Sequence, residues 1–261
     1  MSTQHVPGIP IRPAQAHGTA APTVPQANPD AALQGDAKAR YVQHMFGRIA
    51  GRYDFMNVLM SFGQDGAWRR YTVRQAAAGP GDLSLDVATG TGRIAQLLAR
   101  RGARSIGVDF TVSMMEQGRK SGVGSDEVAF VGGDALNLPF ADNTFDCVTT
   151  GFAMRNVVDI KAAFLEMRRV LKPGGRLVCL EVGRPQNAIT RLGHMIHTRF
   201  LVPALGRLLA GDPDAYSYLP SSMGKFPAPG ELARIMRSAG LRHVRFRQLT
   251  FGAVAVHRGI K

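Results

Sequence analysis

Cysteine is scarce in this chain. Of its 261 residues only two are cysteines, Cys147 and Cys179, and both stand in apolar, strand-like runs. A disulfide-stabilised secreted scaffold is therefore excluded. We expect both thiols to pack as small hydrophobic side chains in a reducing cytoplasm. The sequence also shows no cluster of His, Cys and Asp with the spacing of a zinc site, so no metal is expected.

Long hydrophobic runs are missing as well. No stretch of roughly 18 apolar residues is present, which argues against a membrane-spanning helix. The N-terminal segment lacks the basic region and the continuous apolar region of a secretory signal. We therefore expect a cytoplasmic protein that is either soluble or peripheral at the inner face of a membrane.

Acidic residues are outnumbered by basic ones. The chain has 32 Lys and Arg against 19 Asp and Glu, which gives a net charge of +13. This excess favours an anionic partner, either a nucleic acid or a negative membrane surface, although a solvated basic surface explains it equally well. Basic and aromatic residues are not interleaved as they are on base-stacking surfaces, so no nucleic acid is expected. An anionic membrane surface stays a candidate partner, and a homo-oligomer is left open.

The chain divides into a tail and one domain. Residues 1–36 are rich in Pro, Ala, Gly and Gln without a periodic apolar face, so this tail is expected to be disordered. Residues 37–78 have apolar side chains at helical spacing and predict an N-terminal helical cap. From Leu83 onward strand-like and helix-like segments alternate. This alternation predicts an α/β domain over residues 37–261, with a doubly wound, mostly parallel sheet.

The first alternating unit, "LSLDVATGTGRIAQLL", has the pattern of a nucleoside site. A strand over residues 83–88 precedes Gly90 and Gly92, and a second strand ends at Asp109. Glycines let the backbone approach a ligand closely, and an acid at the end of the second strand can accept hydrogen bonds from both ribose hydroxyls. The unit therefore predicts a nucleoside-containing cofactor.

Two departures from a dinucleotide fingerprint indicate which cofactor this is. Ala95 stands where the third glycine would be, and Asp86 precedes the glycines, where its charge would repel a pyrophosphate. S-adenosyl-L-methionine suits this acid because it carries an ammonium and a sulfonium. For Asp86 taken singly, the alternative is a structural carboxylate that caps the turn. Asp134 and Gly151 follow later strands, where the adenine and methionine parts would lie.

The remaining motifs resemble one family. In order and spacing they are similar to the ubiquinone/menaquinone biosynthesis C-methyltransferases of the UbiE/MenG type, which are class I S-adenosylmethionine-dependent methyltransferases. The motifs are "YDFMNVLMSFGQDGAW", "GFAMRNVVD", "RRVLKPGGRLVCLE", "YSYLPSS" and "LTFGAVAVHRGIK". The resemblance covers about residues 38–261. It implies a Rossmann-like seven-stranded sheet with added N-terminal helices and a helical lid.

The family's reaction is a methyl transfer to a ring carbon of a reduced polyprenyl quinone. The resemblance implies demethylmenaquinol, a 2-methoxy-6-polyprenyl-1,4-benzoquinol, or both as substrate, in menaquinone or ubiquinone biosynthesis. Two alternatives stay open on the sequence alone. One is another small-molecule or RNA methyltransferase of the same fold, and the other is a non-catalytic scaffold that binds S-adenosylmethionine.

The motifs also indicate site residues. Arg155 and Asn156 are the expected catalytic pair, in which the arginine stabilises a quinolate or holds a water that takes its proton. A structural salt bridge is the alternative for Arg155. Gly151 and Arg93 depart from the family, because many relatives have Ser and Asp at these positions. The expected cofactor contacts are Asp86, Gly90, Thr91, Gly92, Asp109, Asp134, Ala135 and Gly151. The expected substrate contacts are Tyr53, Asn57, Met60 and Tyr216.

Two stretches are expected to meet the quinone or lipid. Three apolar side chains of the first motif are expected to line a route for the quinone, or else to belong to the core. They are Met56, Met60 and Phe62. Residues 184–224 are expected to form a helical substrate lid or a membrane-facing insertion, because residues 183–211 contain four arginines and no acid.

Overall fold

The computed structural model describes residues 9, 35–123, 128–185, 187–196, 199, 218 and 222–261. Two helices open the domain, α1 over Gly35–Met60 and α2 over Asp65–Ala76. Helix α1 ends in a left-handed turn at Phe62 and Gly63, where the Gly63 amide donates to the Val58 carbonyl at 2.8 Å. The two helices lie in the predicted helical cap over residues 37–78, except that α1 begins two residues earlier, at Gly35.

Strands and helices alternate after α2. The strands are β1 (Leu83–Val87), β2 (Arg104–Asp109), β3 (Val128–Gly132), β4 (Phe145–Gly151), β5 (Leu171–Val182), β6 (Arg242–Leu249) and β7 (Val254–Ile260). The further helices are α3 (Arg93–Ala99), α4 (Val112–Lys120), α5 (Ile160–Val170), α6 (Ala188–Ile196) and α7 (Pro229–Ser238). Two short 3₁₀ turns lie at Met154–Asn156 and Thr250–Gly252.

The strands form one seven-stranded sheet in the order β3-β2-β1-β4-β5-β7-β6. Strands β1 to β5 pair in parallel, whereas β7 is antiparallel to both β5 and β6. The chain moves outward from β1 to β3 and then returns to the other side of β1 with β4. The carboxyl ends of β1 and β4 therefore flank a topological switch point, where ligands bind in such sheets. This topology confirms the α/β, Rossmann-like, doubly wound sheet predicted from the sequence.

Both faces of the sheet are buried. Alternate residues of β5 enter opposite layers, so that Leu177 packs with α5 and α7 while Val178 packs with α2 and α3. Cys147 and Cys179 are buried as free thiols in these two layers, as the sequence predicts. Burial raises the pKa of Cys147 to about 12, so its thiol stays protonated and acts as a small apolar group.

Parts of the predicted tail and lid lie outside the described residues. The described tail residues are Ile9, which is only 6% exposed and packs against the core, and Gly35 and Asp36, which begin α1. The predicted disorder is therefore wrong for Gly35 and Asp36, and it stays a prediction for the tail residues outside the description. The lid over residues 184–224 also stays a prediction, since only residues 184–185, 187–196, 199, 218 and 222–224 of it are described. Within the described parts of the chain, no helix is both long enough and apolar enough to cross a bilayer.

Candidate functional site

A cleft opens at the carboxyl edge of the parallel strands. It encloses about 840 Å³ of space free of protein atoms, with the open solvent at its mouth included. Its walls come from α1 and from the segments that follow β1, β2, β3 and β4. The switch point of the sheet and the helical cap thus enclose one site between them.

The loop after β1 and the end of β2 form the polar part of the cleft. Gly90 has a φ of +58°, a conformation that favours glycine. Its amide donates to Asp109 Oδ2 at 2.8 Å, and the Thr111 amide donates to Asp109 Oδ1 at 2.8 Å. Burial raises the pKa of Asp109, while these backbone donors favour its charged form.

Three further predicted cofactor residues line the same cleft. They are Asp134, Ala135 and Gly151. Asp134 is exposed, and its Oδ1 accepts from the Leu136 amide at 2.9 Å, which leaves Oδ2 available to a ligand. A Cβ atom at Gly151 would lie 2.6 Å from Ile94 Cδ1. Many relatives have Ser at this position, and the glycine here leaves the room that the Ile94 side chain occupies.

Asp86 does not line the cleft. It is 2% exposed, and its two oxygens accept from the hydroxyls of Thr89 and Thr149, each at 2.7 Å. Burial raises its pKa to about 6, although the two hydroxyl donors act in the opposite direction. This geometry corrects the prediction that Asp86 faces the cofactor ammonium directly, and it matches the turn-capping alternative.

Thr91 and Gly92 also stand behind the wall of the cleft. The Thr91 hydroxyl donates to Asp54 Oδ1 at 2.8 Å, so it holds α1. Gly92 has a φ of +81°, and a Cβ atom there would lie 2.6 Å from the Phe130 ring. Both residues shape the glycine loop. They do not line the cleft, so they would affect the cofactor through this loop and not by the predicted direct contact.

The predicted catalytic pair is separated by the structure. Asn156 lines the cleft, whereas Arg155 does not. Arg155 Nη1 lies 3.2 Å from Glu181 Oε2, and the two side chains are 7% and 0% exposed. The Arg155 amide also donates to Glu181 Oε1 at 3.3 Å. The geometry therefore corresponds to the salt-bridge alternative, in which Arg155 ties the loop after β4 to the end of β5.

Tyr218 contacts the cleft residue Asn156, a role that the sequence reasoning missed. Its hydroxyl donates to Asn156 Oδ1 at 3.3 Å, and its ring centroid lies 5.6 Å from that of Tyr41. Burial raises the pKa of Tyr218 to about 12, so the hydroxyl remains a donor. The predicted contact Tyr216 lies outside the described residues. The motif "YSYLPSS" contains both tyrosines, and of the two only Tyr218 is among the described residues.

Of the substrate residues predicted on α1, one lines the cleft. Tyr53 does so, with its ring edge-on to Phe46 at 5.7 Å between centroids. Asn57 and Met60 do not reach the cleft, and Met60 packs against the cluster of apolar residues on α1. The predicted direct contacts of Asn57 and Met60 with substrate are therefore not supported by this geometry.

None of the three residues predicted to form an apolar route for the quinone lines the cleft, Met60 included. Met56 is 1% exposed and belongs to the core of α1, which was the alternative reading of the motif. Phe62 lies beyond the end of α1, away from the cleft, and is 70% exposed. The apolar wall of the cleft is formed by Val42, Phe46, Phe110 and Phe152 instead.

Polar contacts hold α1 over the cleft. Asp54 accepts from Thr91 and from Arg93 Nε, the latter at 2.9 Å, so the charge of Arg93 at the start of α3 is paired. Two more contacts are Lys38 Nζ to the Val157 carbonyl at 2.9 Å and Gln43 Nε2 to the Phe110 carbonyl at 2.8 Å. Helix α1 therefore bonds to three of the loops that form the cleft. Among the described residues, no group of three His, Cys, Asp or Glu could hold a metal.

Comparison with known proteins gives consistent results. A sequence model of the ubiE/COQ5 methyltransferase family matches residues 34–261. A demethylmenaquinone methyltransferase from Roseiflexus castenholzii is 49% identical over 228 residues, which cover 87% of this chain and 95% of that protein. A ubiquinone/menaquinone biosynthesis C-methyltransferase UbiE from Desulfotalea psychrophila is 42% identical over 229 residues, covering 86% and 92%. The fold also resembles the crystal structure of an S-adenosylmethionine-dependent methyltransferase from Thermotoga maritima, with a TM-score of 0.59. The two chains are 24% identical, and the match covers 84% of this chain and 99% of that one.

Proposed function

The chain belongs to the ubiE/COQ5 methyltransferase family, and from that membership we propose that it methylates a ring carbon of demethylmenaquinol in menaquinone biosynthesis. It is an S-adenosylmethionine-dependent methyltransferase. The names of relatives at 49% and 42% identity support the quinol substrate. The benzoquinol of ubiquinone biosynthesis is the second candidate, because one of these relatives is named for both pathways.

One observation carries the proposal: a single cleft joins a nucleoside-binding edge to an apolar wall. At the polar edge, the Asp109 carboxylate is held by two backbone amides beside Gly90. On the opposite side, Phe46 and Tyr53 of α1 present aromatic surface. The residues fit S-adenosylmethionine, since the acid suits the ribose and the left-handed glycine admits a close ligand. When bound, this group supplies an electrophilic methyl on a sulfonium.

The substrate itself supplies the nucleophile. Loss of a quinol hydroxyl proton would place electron density on the neighbouring ring carbon, which would take the methyl in line as the bond from methyl to sulfur breaks. The same ring carbon would then lose its hydrogen as a proton, so that the aromatic quinol is restored. The protein must align the ring, exclude water and stabilise the quinolate. In our proposal Asn156 holds a ring oxygen, because it is the polar side chain on the loop after β4 that reaches the cleft. Tyr218 fixes the Asn156 amide, and Arg155 positions the loop through Glu181.

The substrate's polyprenyl chain implies an encounter with lipid, and we include peripheral membrane association in the proposal. Helix α6 supports it, since its apolar residues Ile189, Leu192, Met195 and Ile196 are all exposed. An amphipathic helix with an exposed apolar face suits the interface of a bilayer. The polyprenyl chain can then remain in the membrane while the ring enters the cleft.

Methyl transfer from isotope-labelled S-adenosylmethionine tests the proposed function. The acceptors are a short-chain demethylmenaquinol kept reduced, its oxidised quinone, a short-chain methoxybenzoquinol and total RNA. We expect label in the reduced naphthoquinol and none in the oxidised quinone, because only the quinol is an enol. Label confined to the benzoquinol would indicate that the enzyme acts in ubiquinone biosynthesis instead. Label in RNA alone would refute the proposal.

A further inference from the structure

Two buried arginines meet at the ring of Phe152. This residue follows β4, lines the cleft and is half-buried. The guanidinium carbon of Arg155 lies 5.6 Å from the centroid of the Phe152 ring, and that of Arg69, on α2, lies 6.0 Å from it. Trp68 packs edge-on to the same ring, with 6.2 Å between centroids. Neither arginine lines the cleft, so the Phe152 ring is the part of the wall that both charges contact.

The backbone of Phe152 is strained. Its φ is +58°, a left-handed value that residues with a Cβ atom adopt at a cost. The Phe152 amide donates to the Leu180 carbonyl at 2.8 Å, so β5 holds this conformation in place. Strained residues that the surrounding structure holds in this way cluster at ligand sites and active sites. Strain at a residue that lines the cleft therefore points to a role for its side chain in ligand binding.

Buried carboxylates fix both arginines beside this ring. Arg69 Nε donates to Asp65 Oδ2 at 2.8 Å, and Arg155 Nη1 lies 3.2 Å from Glu181 Oε2. The two arginine side chains are 9% and 7% exposed, so solvent screens their charges only weakly. Neither guanidinium can leave the Phe152 ring without breaking a buried ion pair.

A ring that already carries two guanidiniums favours one kind of ligand. The face of an aromatic ring is negative and attracts cations, and here the arginines use that attraction. The Phe152 ring therefore offers little to the sulfonium of S-adenosylmethionine, and it complements a ring that is rich in electrons. A quinol ring is electron-rich, whereas the quinone of nearly the same shape is electron-poor. Asn156 Nδ2 lies 3.5 Å from the Phe152 carbonyl oxygen, so a ring packed on Phe152 would have Asn156 beside it.

We propose that Phe152 selects the reduced, electron-rich ring of the substrate over its oxidised form, and that Arg69 is a positioning residue that acts on the substrate through Phe152. This inference rests on the proposed function, because it assigns the part of the cleft that takes the quinol ring. Packed aromatic pairs contribute beyond the area that they bury. The enzyme therefore discriminates between quinol and quinone when the ring binds, before any methyl is transferred.

Fluorescence of Trp68, the single tryptophan of the chain, measures ring binding because Trp68 contacts Phe152. Short-chain demethylmenaquinol and its quinone are titrated without oxygen into protein that holds S-adenosylhomocysteine, which has no methyl to transfer. We expect wild type to bind the quinol about tenfold more tightly than the quinone. Phe152→Leu keeps an apolar side chain and should weaken quinol binding about tenfold and remove most of the preference. Phe152→Tyr retains the ring and should retain both.

A cycle of variants tests Arg69. The pair Arg69→Met, Asp65→Leu removes both charges, leaves none buried, and should weaken quinol binding about threefold. If Arg69 acts through Phe152, this pair should cause no further loss in a chain that already carries Phe152→Leu.

Phe110→Leu is the matched control for this cycle. Phe110 also lines the cleft, and among the described residues no guanidinium lies over its ring. Its loss and that of the charge-free pair should therefore add. Additive losses with Phe152→Leu as well would overturn the role of Arg69.

The remaining outcomes separate this inference from the proposed function. A wild type that binds quinol and quinone equally, or binds neither, would overturn the inference. So would a Phe152→Leu variant with wild-type quinol affinity, or one whose affinity for S-adenosylmethionine by calorimetry falls as far as its quinol affinity. Methyl transfer by wild type decides the proposed function independently. If wild type binds the quinol with the expected preference but methylates no quinol, the proposed function fails and the selectivity of Phe152 stands.

Discussion

Replacing Glu181 by glutamine should leave the Arg155 guanidinium without its counter-charge in a nearly dry environment. The two side chains are 0% and 7% exposed, and their nitrogen and oxygen lie 3.2 Å apart. Removing one partner of such a buried pair costs about 3–5 kcal/mol. Because the free energy of unfolding of a domain is only about 5–15 kcal/mol, the loss should be plain in urea denaturation followed by circular dichroism.

Two further variants make this prediction specific. Asp142→Asn removes an ion pair with Arg169 in which the aspartate side chain is 61% exposed, so its cost should stay below about 1 kcal/mol. The double variant Arg155→Met, Glu181→Leu removes both charges and should be more stable than Glu181→Gln alone, since no charge is left buried. A cost below about 1 kcal/mol for Glu181→Gln would refute the reasoning. So would a double variant whose loss of stability equals the sum of the losses measured for Arg155→Met alone and Glu181→Leu alone.

The same double variant separates the two roles of Arg155. If Arg155 acts only by holding the loop that carries Asn156, a folded, uncharged double variant should bind S-adenosylmethionine and retain much of its turnover. A stable variant that binds the cofactor but methylates no quinol would indicate that Arg155 takes part directly in catalysis. The two outcomes are distinguished by comparing turnover with cofactor affinity.

Three other changes test the site. Asp109→Asn should raise the Kd for S-adenosylmethionine about 100-fold, because two charge-assisted hydrogen bonds to the ribose of about 1.5 kcal/mol each are weakened. Calorimetry that finds no change in Kd would contradict the ribose contact. Gly151→Ser should lower the Tm because its Cβ lies 2.6 Å from Ile94 Cδ1, and Ile94→Val in the same chain should restore it. Burial raises the pKa of Asp86 from 3.8 to about 6, so the folded state binds the extra proton and stability falls as pH rises through that interval. Asp86→Asn should remove this fall, which is at most about 3 kcal/mol in urea unfolding measured across that pH range.

The polar edge of the cleft could be predicted from sequence because its features are local. Gly90 needs a left-handed backbone that is cheap only for glycine, and Asp109 ends a strand whose neighbour in the sheet is the strand before the glycines. In a parallel sheet the ends of adjacent strands meet at one edge. Residue type and strand order were therefore sufficient to place both groups in one site.

The errors concern contacts between distant parts of the chain. The sequence shows the charge of Asp86 but not that Thr149, 63 residues later, donates to it. Glu181 is 26 residues from Arg155 and meets it only because β5 pairs with β4. Tyr218 is 62 residues from its partner Asn156. Such pairings depend on strand register and helix docking, which residue type alone does not determine.

On a ribosome the sheet cannot be assembled in the order in which its strands are made. Strand β6 emerges before β7, yet β7 lies between β6 and β5 and pairs with both. Until residues 254–260 are available, the nascent chain carries an open edge on β5 and an unpaired β6. Open edges and unpaired strands are where partly made chains associate wrongly. Completion of this sheet therefore waits for β7, and chaperone protection of the nascent chain matters most between the synthesis of β5 and that of β7.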